Sequence, residues 1–266
     1  MAHAVTVAEI WASRRLVLRL ASAQLRDKYS GSALGALWAL IQPAMVMAVF
    51  WFVFVFGLKV SSPTGEAPFV ALLLVGLSCW FWFADAVTGG AHAVTSSAYL
   101  VKKIAFPLEV LPLAPVAASF IVHAAMLVIL IVGLAFAGDL DGWRLLTLPL
   151  YMLALATLAT GLAYWLSALN AFHRDVAQTT ALVLQVWFWL TPIVWSFSAF
   201  PPEVADILGW NPMTFVVAGY RYALLNDVGA APTIAQASTF TILAVAILSS
   251  GIAFYRRLRG DFADVL

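Results

Sequence analysis

The sequence predicts an all-α polytopic membrane protein with six transmembrane helices, an N-terminal amphipathic interfacial helix and re-entrant helices between the fifth and sixth spans. Of the 266 residues, 64% are hydrophobic and only 10% are charged. The mean hydropathy is +0.96, which lies far outside the range of soluble globular domains. The apolar residues fall into six long runs, and most basic residues lie in alternate connecting segments.

Residues 1–33 are predicted to form a cytoplasmic N-terminal region that contains the amphipathic helix. One face of this helix is polar and the other apolar. The polar stripe comprises Arg15, Arg19, Ser22 and Arg26, and the opposite face comprises Ile10, Val17, Leu18, Ala21 and Leu25. Basic residues interleave with apolar ones and no cleavage site follows, so we expect no removable signal peptide. Anchoring to anionic lipid and docking of a cytoplasmic partner are both open interpretations.

A helix needs about 20 apolar residues to cross a hydrocarbon core of roughly 30 Å. Runs of this length occur at 34–57, 68–91, 110–137, 145–169, 178–198 and 234–255. We therefore predict a six-helix membrane domain over 34–256, followed by a cytoplasmic tail at 257–266.

The basic residues orient these spans. Eleven of the 14 Lys and Arg residues lie before the first run, after the second and fourth runs, and at the end of the chain. Only Lys59, Arg144 and Arg221 fall on the other side. Because basic loops are retained in the cytoplasm, we predict that both termini are cytoplasmic.

Residues 199–230 are too apolar for a solvated loop. As a seventh span they would bury Asp206 and Arg221, each at roughly 2.5 to 3.5 kcal/mol at the bilayer centre, and would place the basic C-terminus outside. We favour two re-entrant helices that meet at Asn211 and Pro212. Broken helices at membrane depth are buried in protein or line a cavity, so this segment indicates a transport pathway.

No motif predicts catalysis, a metal site or nucleic-acid binding. The chain has no Gly-Lys dipeptide, so it lacks a phosphate-binding loop for ATP, and its four histidines lack metal-ligand spacing. Asp85 lies deep in the second run, where it is either part of a proton relay or bonded to a neighbouring helix, and we favour the second. Glu109 is expected to pair near the cytoplasmic interface. A stand-alone membrane enzyme or channel that uses Asp85 and the histidines is the alternative function.

Aromatic residues make up 14% of the chain and cluster in the first, second and fifth runs. Many are expected at the two membrane interfaces, where Trp and Tyr are enriched. Rings near the middle of the fifth run point in several directions, so at least one is expected to face a pathway. Flat aromatic faces suit sugar rings, and many weak contacts allow a polymer to slide. The predicted pathway residues are Trp51, Phe54, Trp187, Phe188, Trp189 and Trp195.

Five regions carry a family resemblance, and one of them is the re-entrant region, which Asn211-Pro212 and Tyr220-Arg221 match. LRDKYSGSALGALWALIQP (25–43) resembles the start of the first span in ABC type 2 exporter permeases for O antigen and related polysaccharides. YLVKKIAFP (99–107), NAFHRDV (170–176) and WLTPIVW (189–195) are similar to that family's cytoplasmic gate segment, second cytoplasmic loop and fifth span. These matches occur in the family's order along nearly the whole chain.

The resemblance implies a homodimeric permease in the cell inner (plasma) membrane that pairs with two copies of a separate ATPase. ATP and Mg would be bound by that partner, and no cofactor is expected in this chain. The cargo would be a lipid-linked polysaccharide that moves out of the cytoplasm along the dimer interface of the first and fifth spans. Capsule or teichoic-acid polymers, or a drug or small lipid, are alternative cargoes of the same fold.

The resemblance also implies roles for particular residues. Tyr99, Lys102 and Lys103 would gate the cytoplasmic mouth, where lysine suits the pyrophosphate of a lipid carrier. Contacts with the ATPase would involve Arg26, Asp27, Lys28, Tyr29, Arg174 and Asp175. The outer gate would involve Pro201, Asn211, Pro212, Tyr220 and Arg221.

Overall fold

The computed structural model describes residues 13–60, 68–102, 106–197, 200–226 and 231–266. Lys103 of the predicted gate, Ile10 of the amphipathic face and parts of the 199–230 segment lie outside these ranges. Within them all regular elements are helical, and one isolated β-bridge joins Leu140 to Leu225.

The helices follow the predicted apolar runs closely, except in the fifth run. In chain order they are α1 (Arg14–Lys28), α2 (Trp38–Trp51, continued by a π-helical stretch over Phe52–Gly57), α3 (Phe69–His92), α4 (Ala98–Val101), α5 (Leu113–Ala137), α6 (Leu148–Phe172), α7 (Asp175–Trp189), α8 (Pro202–Gly209), α9 (Pro212–Leu224), α10 (Ile234–Leu258) and α11 (Phe262–Val265).

Five helical segments of the described chain are long and apolar enough to cross a membrane. They are Gly35–Gly57, Phe69–His92, Leu108–Ala137, Arg144–Phe172 and Ile234–Leu258. These correspond to the first four predicted runs and the last one. None of them covers residues 199–230, so the rival seventh span is not among them.

The predicted fifth run, 178–198, differs from the structure because its helix ends early. α7 has 15 residues and its C-cap is Leu190, so it is about 22 Å long at 1.5 Å per residue. Pro192 lacks the amide hydrogen that a continuing helix needs. The chain turns there, and two short helices, α8 and α9, replace the loop that a simple six-span protein would have.

α3 is the central helix of the bundle. It packs against α5, α6, α7 and α9, and its apolar residues extend around the whole helix, as expected of one buried on all sides. Leu73, Leu77 and Phe83 have no exposed surface. Because α3 is central, its residues contact both the end of α7 and the end of α1.

α6 and α10 cross at two glycines. A side-chain Cβ at Gly161 would lie 2.7 Å from the backbone nitrogen of Leu248, and a Cβ at Gly251 would lie 2.7 Å from the carbonyl oxygen of Gly161. Small residues at a crossing let two helix backbones approach closely, as in membrane helix pairs. This crossing holds α10 against the rest of the bundle.

α1 is helical over the predicted amphipathic segment, and Leu18 of its predicted apolar face is 54% exposed. Arg15, Arg19, Ser22 and Arg26 are exposed, whereas Ala21 on the opposite face is fully buried. The helix packs against α5, and its C-terminal residues approach α3. It is therefore joined to the bundle at its end.

Candidate functional site

The first part of the site lies where α7 ends against the helices α8 and α9. Phe188 packs its ring 5.6 Å from Phe50 of α2 and 5.5 Å from Trp80 of α3. Trp187 meets Phe83 of α3 edge-on at 5.2 Å. These rings fix the end of α7 against the middle of α3.

Asn211, between α8 and α9, connects this end of α7 to α9. Its Oδ1 accepts hydrogen bonds from Trp187 Nε1 at 2.7 Å and from the Met213 backbone nitrogen at 3.0 Å. Its Nδ2 donates to the Leu190 carbonyl and to Thr191 Oγ1, both at 3.0 Å. Asn211 is therefore the N-cap of α9, a role for which asparagine is well suited, and it also holds the turn after α7.

Arg221 anchors the other end of α9. Its Nε donates to the Leu72 carbonyl at 3.1 Å, and its Nη2 donates to the Ile193 carbonyl at 2.9 Å. Leu72 belongs to the first turn of α3, and its carbonyl accepts this bond from outside the helix. The planar guanidinium thus joins α9, α3 and the turn after α7 through fixed donors.

These contacts give α9 a defined position along α3. Arg221 contacts the first turn of α3 at Leu72, whereas Trp187, the partner of Asn211, contacts Phe83. Eleven helical residues separate those two contact points, which corresponds to about 16 Å along the α3 axis. The α8–α9 turn therefore lies beside the middle of α3, and α9 runs back toward the start of α3.

The predicted pathway residues separate into exposed and packed groups. Trp51 and Trp189 are exposed at 39% and 54%. Phe188 is buried, Phe54 stacks on Phe50, and the indole of Trp187 is bonded to Asn211. Trp195 donates its indole hydrogen to the Trp189 carbonyl. The structure thus brings Trp187 of the predicted pathway and Asn211 of the predicted outer gate into one hydrogen-bonded unit.

Toward the C-terminal end of α3, away from Arg221, Lys28 Nζ of α1 forms an ion pair with Asp85 Oδ1 of α3 at 2.9 Å. This contact confirms the preferred interpretation of Asp85 as bonded to a neighbouring helix. Burial lowers the pKa of Lys28, but the charge of Asp85 and the hydrogen bond to it outweigh that effect, so the pKa is raised above its ordinary value of 10.5. Lys28 therefore stays protonated at physiological pH.

The predicted gate segment is followed by a firmly held turn. Tyr99 is 65% exposed and Lys102 is also exposed. Beyond them, Glu109 is buried and pairs with Arg259, which confirms that Glu109 is paired. Tyr164 and Tyr255 donate to the Glu109 and Leu108 carbonyls at 2.7 and 2.8 Å. The segment thus ends on a fixed support formed by α6 and α10.

The other predicted ATPase contacts are accessible. Arg26 and Asp27 are exposed near the end of α1, and Arg174 and Asp175 are exposed at the start of α7. The α6–α7 corner is held by Asn170, whose Oδ1 accepts the Ala177 backbone hydrogen at 3.1 Å.

The sequence did not predict three contacts that the structure shows. Thr191 is fully buried beside Asn211, and its neighbour Pro192 was the only local signal of a break there. His123 Nε2 lies 3.1 Å from the Tyr220 hydroxyl. Arg259 lies 150 positions from Glu109. No local pattern links residues that are this far apart in sequence.

A bundle of apolar helices with a broken helical segment beside its central helix has the architecture of a membrane transport protein. The chain belongs to the ABC-2 type transporter family, whose model matches residues 15–225 of the chain.

Named relatives cover almost the entire chain. It is 29% identical to the O-antigen export system permease protein RfbA of Myxococcus xanthus, over 97% of this chain and 98% of that protein. It is 25% identical to an O-antigen export system permease protein RfbA of Klebsiella pneumoniae, over 94% and 95%. It is also 20% identical to the polysialic acid transport protein KpsM of Escherichia coli, over 88% and 89%.

Proposed function

We propose that this chain is the transmembrane subunit of an ATP-driven exporter that moves a lipid-linked polysaccharide, O antigen, across the inner membrane. The observation that carries the proposal is the similarity to O-antigen export permeases along nearly the full length of both chains. The capsule-type alternative is supported by the more distant similarity to a polysialic acid transport protein.

The proposed membrane arrangement has six crossings. α7 and the turn after it form the fifth crossing, and α8 and α9 form a re-entrant pair whose turn lies at the level of the middle of α3. The distribution of basic residues supports cytoplasmic termini. In this arrangement the cytoplasmic N-terminal region is 1–33, the membrane domain is 34–256 with its re-entrant segment over 199–230, and the cytoplasmic tail is 257–266.

The proposed assembly is a homodimer with two ATPase subunits that bind ATP and Mg. α2 and α7 present large exposed apolar side chains, which fits pairing of two copies along these helices. On α2 these include Met45, Val49 and Trp51, and on α7 they include Leu182, Val186 and Trp189. The exposed Trp51 and Trp189 would then lie along the path of the glycan, where indole faces suit sugar rings.

The same proposal assigns a surface that couples to the ATPase and an element that closes the outer gate. Arg26, Asp27, Arg174 and Asp175 are exposed at the cytoplasmic end and would receive the movements of the ATPase. The Asn211 and Arg221 bonds make α9 a rigid element that would close the outer mouth.

Complementation in cells tests the export function. Cells that lack this gene should lose surface polysaccharide and accumulate lipid-linked polymer inside, and the wild-type gene should restore export. The purified chain should carry an ATPase subunit whose activity the lipid-linked polymer stimulates. Export restored by this chain without an ATPase would contradict the proposal, and restored export of a capsule polymer alone would favour the second cargo.

Changing Lys102 and Lys103 together to alanine is expected to reduce export by at least tenfold while assembly persists. The reason is the loss of two cations that would meet the pyrophosphate of the carrier, with charged contacts worth about 1.5 to 3 kcal/mol each. Surface polymer is measured by immunoblot and assembly by ATPase copurification. Lys59→Ala is the matched control on the opposite side, and normal surface polymer in the double variant would refute the gate assignment.

A further inference from the structure

A groove lies between α2, α3 and α5, and Trp51 is the one predicted pathway residue that lines it. Its cytoplasmic part has a volume of about 400 Å³ and reaches from the end of α1 to the middle of α5. The polar residues that line it are Lys28, Tyr29, Gln42, Ser78, Asp85, Thr88, Ser119 and His123. The Lys28–Asp85 ion pair is at its mouth, and each of the two side chains is 49% exposed. This end of the groove therefore offers one cation and one anion to a ligand.

The groove continues into an apolar part of about 650 Å³ between the same helices. The two parts share Met47, Ser78 and Met126 as lining residues, so they adjoin. The second part is lined mainly by aliphatic side chains, which include Leu40, Ile41, Leu74, Ile129 and Leu130. Along α2 it extends from Leu40 to Trp51, about 16 Å. That is about half of a hydrocarbon core of roughly 30 Å.

The inner wall of the polar part contains a buried ring nitrogen that lacks a partner. Trp82 and His123 both line it, are each 3% exposed and stack at 4.7 Å. Within the described residues, Trp82 Nε1 has no hydrogen-bond partner, whereas the His123 ring contacts the Tyr220 hydroxyl and the Ser78 backbone. An indole nitrogen can only donate, and an unpaired buried donor is unfavourable. An acceptor group on a ligand in this part of the groove would meet that need.

We propose that this groove binds one phospholipid whose headgroup carries both a phosphate and a primary amine, such as phosphatidylethanolamine, with its acyl chain in the apolar part. The phosphate would contact Lys28 and the amine Asp85. The ester oxygens would face the polar wall at the depth of Ser119 and Trp82. A polar mouth, a polar wall and an apolar channel occur in the order of a lipid's own headgroup, esters and tail.

Charge explains the choice of a zwitterionic lipid. A purely anionic headgroup would be attracted by Lys28 and repelled by Asp85 at nearly the same position, because the two charges are 2.9 Å apart. A choline headgroup has no N–H to donate to the carboxylate. A primary amine carries a positive charge and donates hydrogen bonds. It would therefore bond the Asp85 carboxylate while the phosphate accepts from the Lys28 ammonium.

Native mass spectrometry of the purified full-length protein tests this site. Delipidated protein is incubated with an equal mixture of phosphatidylethanolamine, phosphatidylcholine and phosphatidylglycerol that share the same acyl chains. We expect retention of phosphatidylethanolamine over each of the others by about fivefold, equivalent to ~1 kcal/mol. Equal retention of all three lipids, or preference for phosphatidylglycerol, would overturn the proposal.

Two variants fill the apolar part and should remove the bound lipid. Gly133 lines it and a Cβ there would meet nothing within 4 Å, so Gly133→Phe directs a ring from open space into this part of the groove. Ala44→Phe fills the same space from α2. Val132→Phe is the matched control, because Val132 is adjacent on α5 and 48% exposed. Lipid retained by both filling variants at the level of Val132→Phe would contradict the assignment.

Two further variants test the headgroup contacts. Lys28→Gln should weaken retention of all three lipids, since each carries a phosphate. Asp85→Asn should instead abolish the preference for phosphatidylethanolamine over phosphatidylglycerol by removing the anion. An unchanged preference in Asp85→Asn would refute the role of Asp85. None of these readouts involves export, so the lipid site and the proposed export function succeed or fail separately.

Discussion

Asn211→Ala is expected to reduce export on the order of a hundredfold and to lower the stability of the protein. The substitution removes the cap of α9, worth about 1 kcal/mol. It also leaves the part-buried indole hydrogen of Trp187 without its partner, at about 1 to 3 kcal/mol, and removes the bond to the Leu190 carbonyl. A total of ~3 kcal/mol changes a two-state equilibrium by about a hundredfold. The α8–α9 segment would no longer be held against the end of α7.

Two milder variants separate the contributions to this effect. Asn211→Asp keeps an oxygen for Trp187 and for the Met213 backbone nitrogen but loses both donations from Nδ2. Trp187→Phe removes only the indole donor and keeps an aromatic ring against Phe83. Both should fall between the wild type and Asn211→Ala in surface polymer and in thermal unfolding of the purified protein. If Asn211→Ala exports and melts like the wild type, Asn211 does not hold this part of the structure.

Gly161→Val is expected to abolish recovery of folded protein. Its Cβ would lie 2.7 and 2.8 Å from the Leu248 nitrogen and Cα, which are backbone atoms and cannot rotate away. α6 and α10 would have to separate, which would disrupt the burial of Phe240 and Tyr255. Overpacking of this kind costs typically 1 to 3 kcal/mol and more where backbone is displaced, and we expect the upper end or beyond.

The measurement is the yield of monodisperse protein by size-exclusion chromatography, together with its melting temperature. Gly133→Val on α5 is the matched control, because the same residue is introduced into a helix where nothing lies within 4 Å of the new Cβ. Helix propensity changes equally in both variants and therefore cancels. The control should stay within about 0.5 kcal/mol of the wild type. Equal yields of the two variants would show that the α6–α10 crossing tolerates separation.

The sequence predicted the long spans well and the fifth one poorly. Residues 69–92 and 234–258 are helical within a few positions of the predicted runs. The run 178–198 is also predominantly apolar, yet its helix stops before Pro192. Hydropathy measures the transfer of side chains into lipid, and it does not register a missing amide hydrogen in the backbone. The break at Asn211 and Pro212 was predicted, and both residue types are typical of a helix start.

The candidate site was predicted in part. Trp187, Asn211 and Arg221 were identified from the sequence, but their partners were not. Asn211 bonds Trp187 and Thr191, and Arg221 bonds backbone carbonyls of α3 and of the turn after α7. Backbone carbonyls occur at every position, so no residue type marks the one that a distant guanidinium will select.

What the sequence by itself determined is the class of fold: apolar helices in a membrane, an amphipathic helix before them and a broken segment between the last two runs. Each of these features depends on residues that are close in sequence, because a membrane helix satisfies its backbone hydrogen bonds within its own segment. Only the tertiary structure decided that Lys28 meets Asp85, 57 positions away, and that Gly161 faces Gly251. Such pairs depend on the rotation and depth of two helices against each other, which side-chain packing sets.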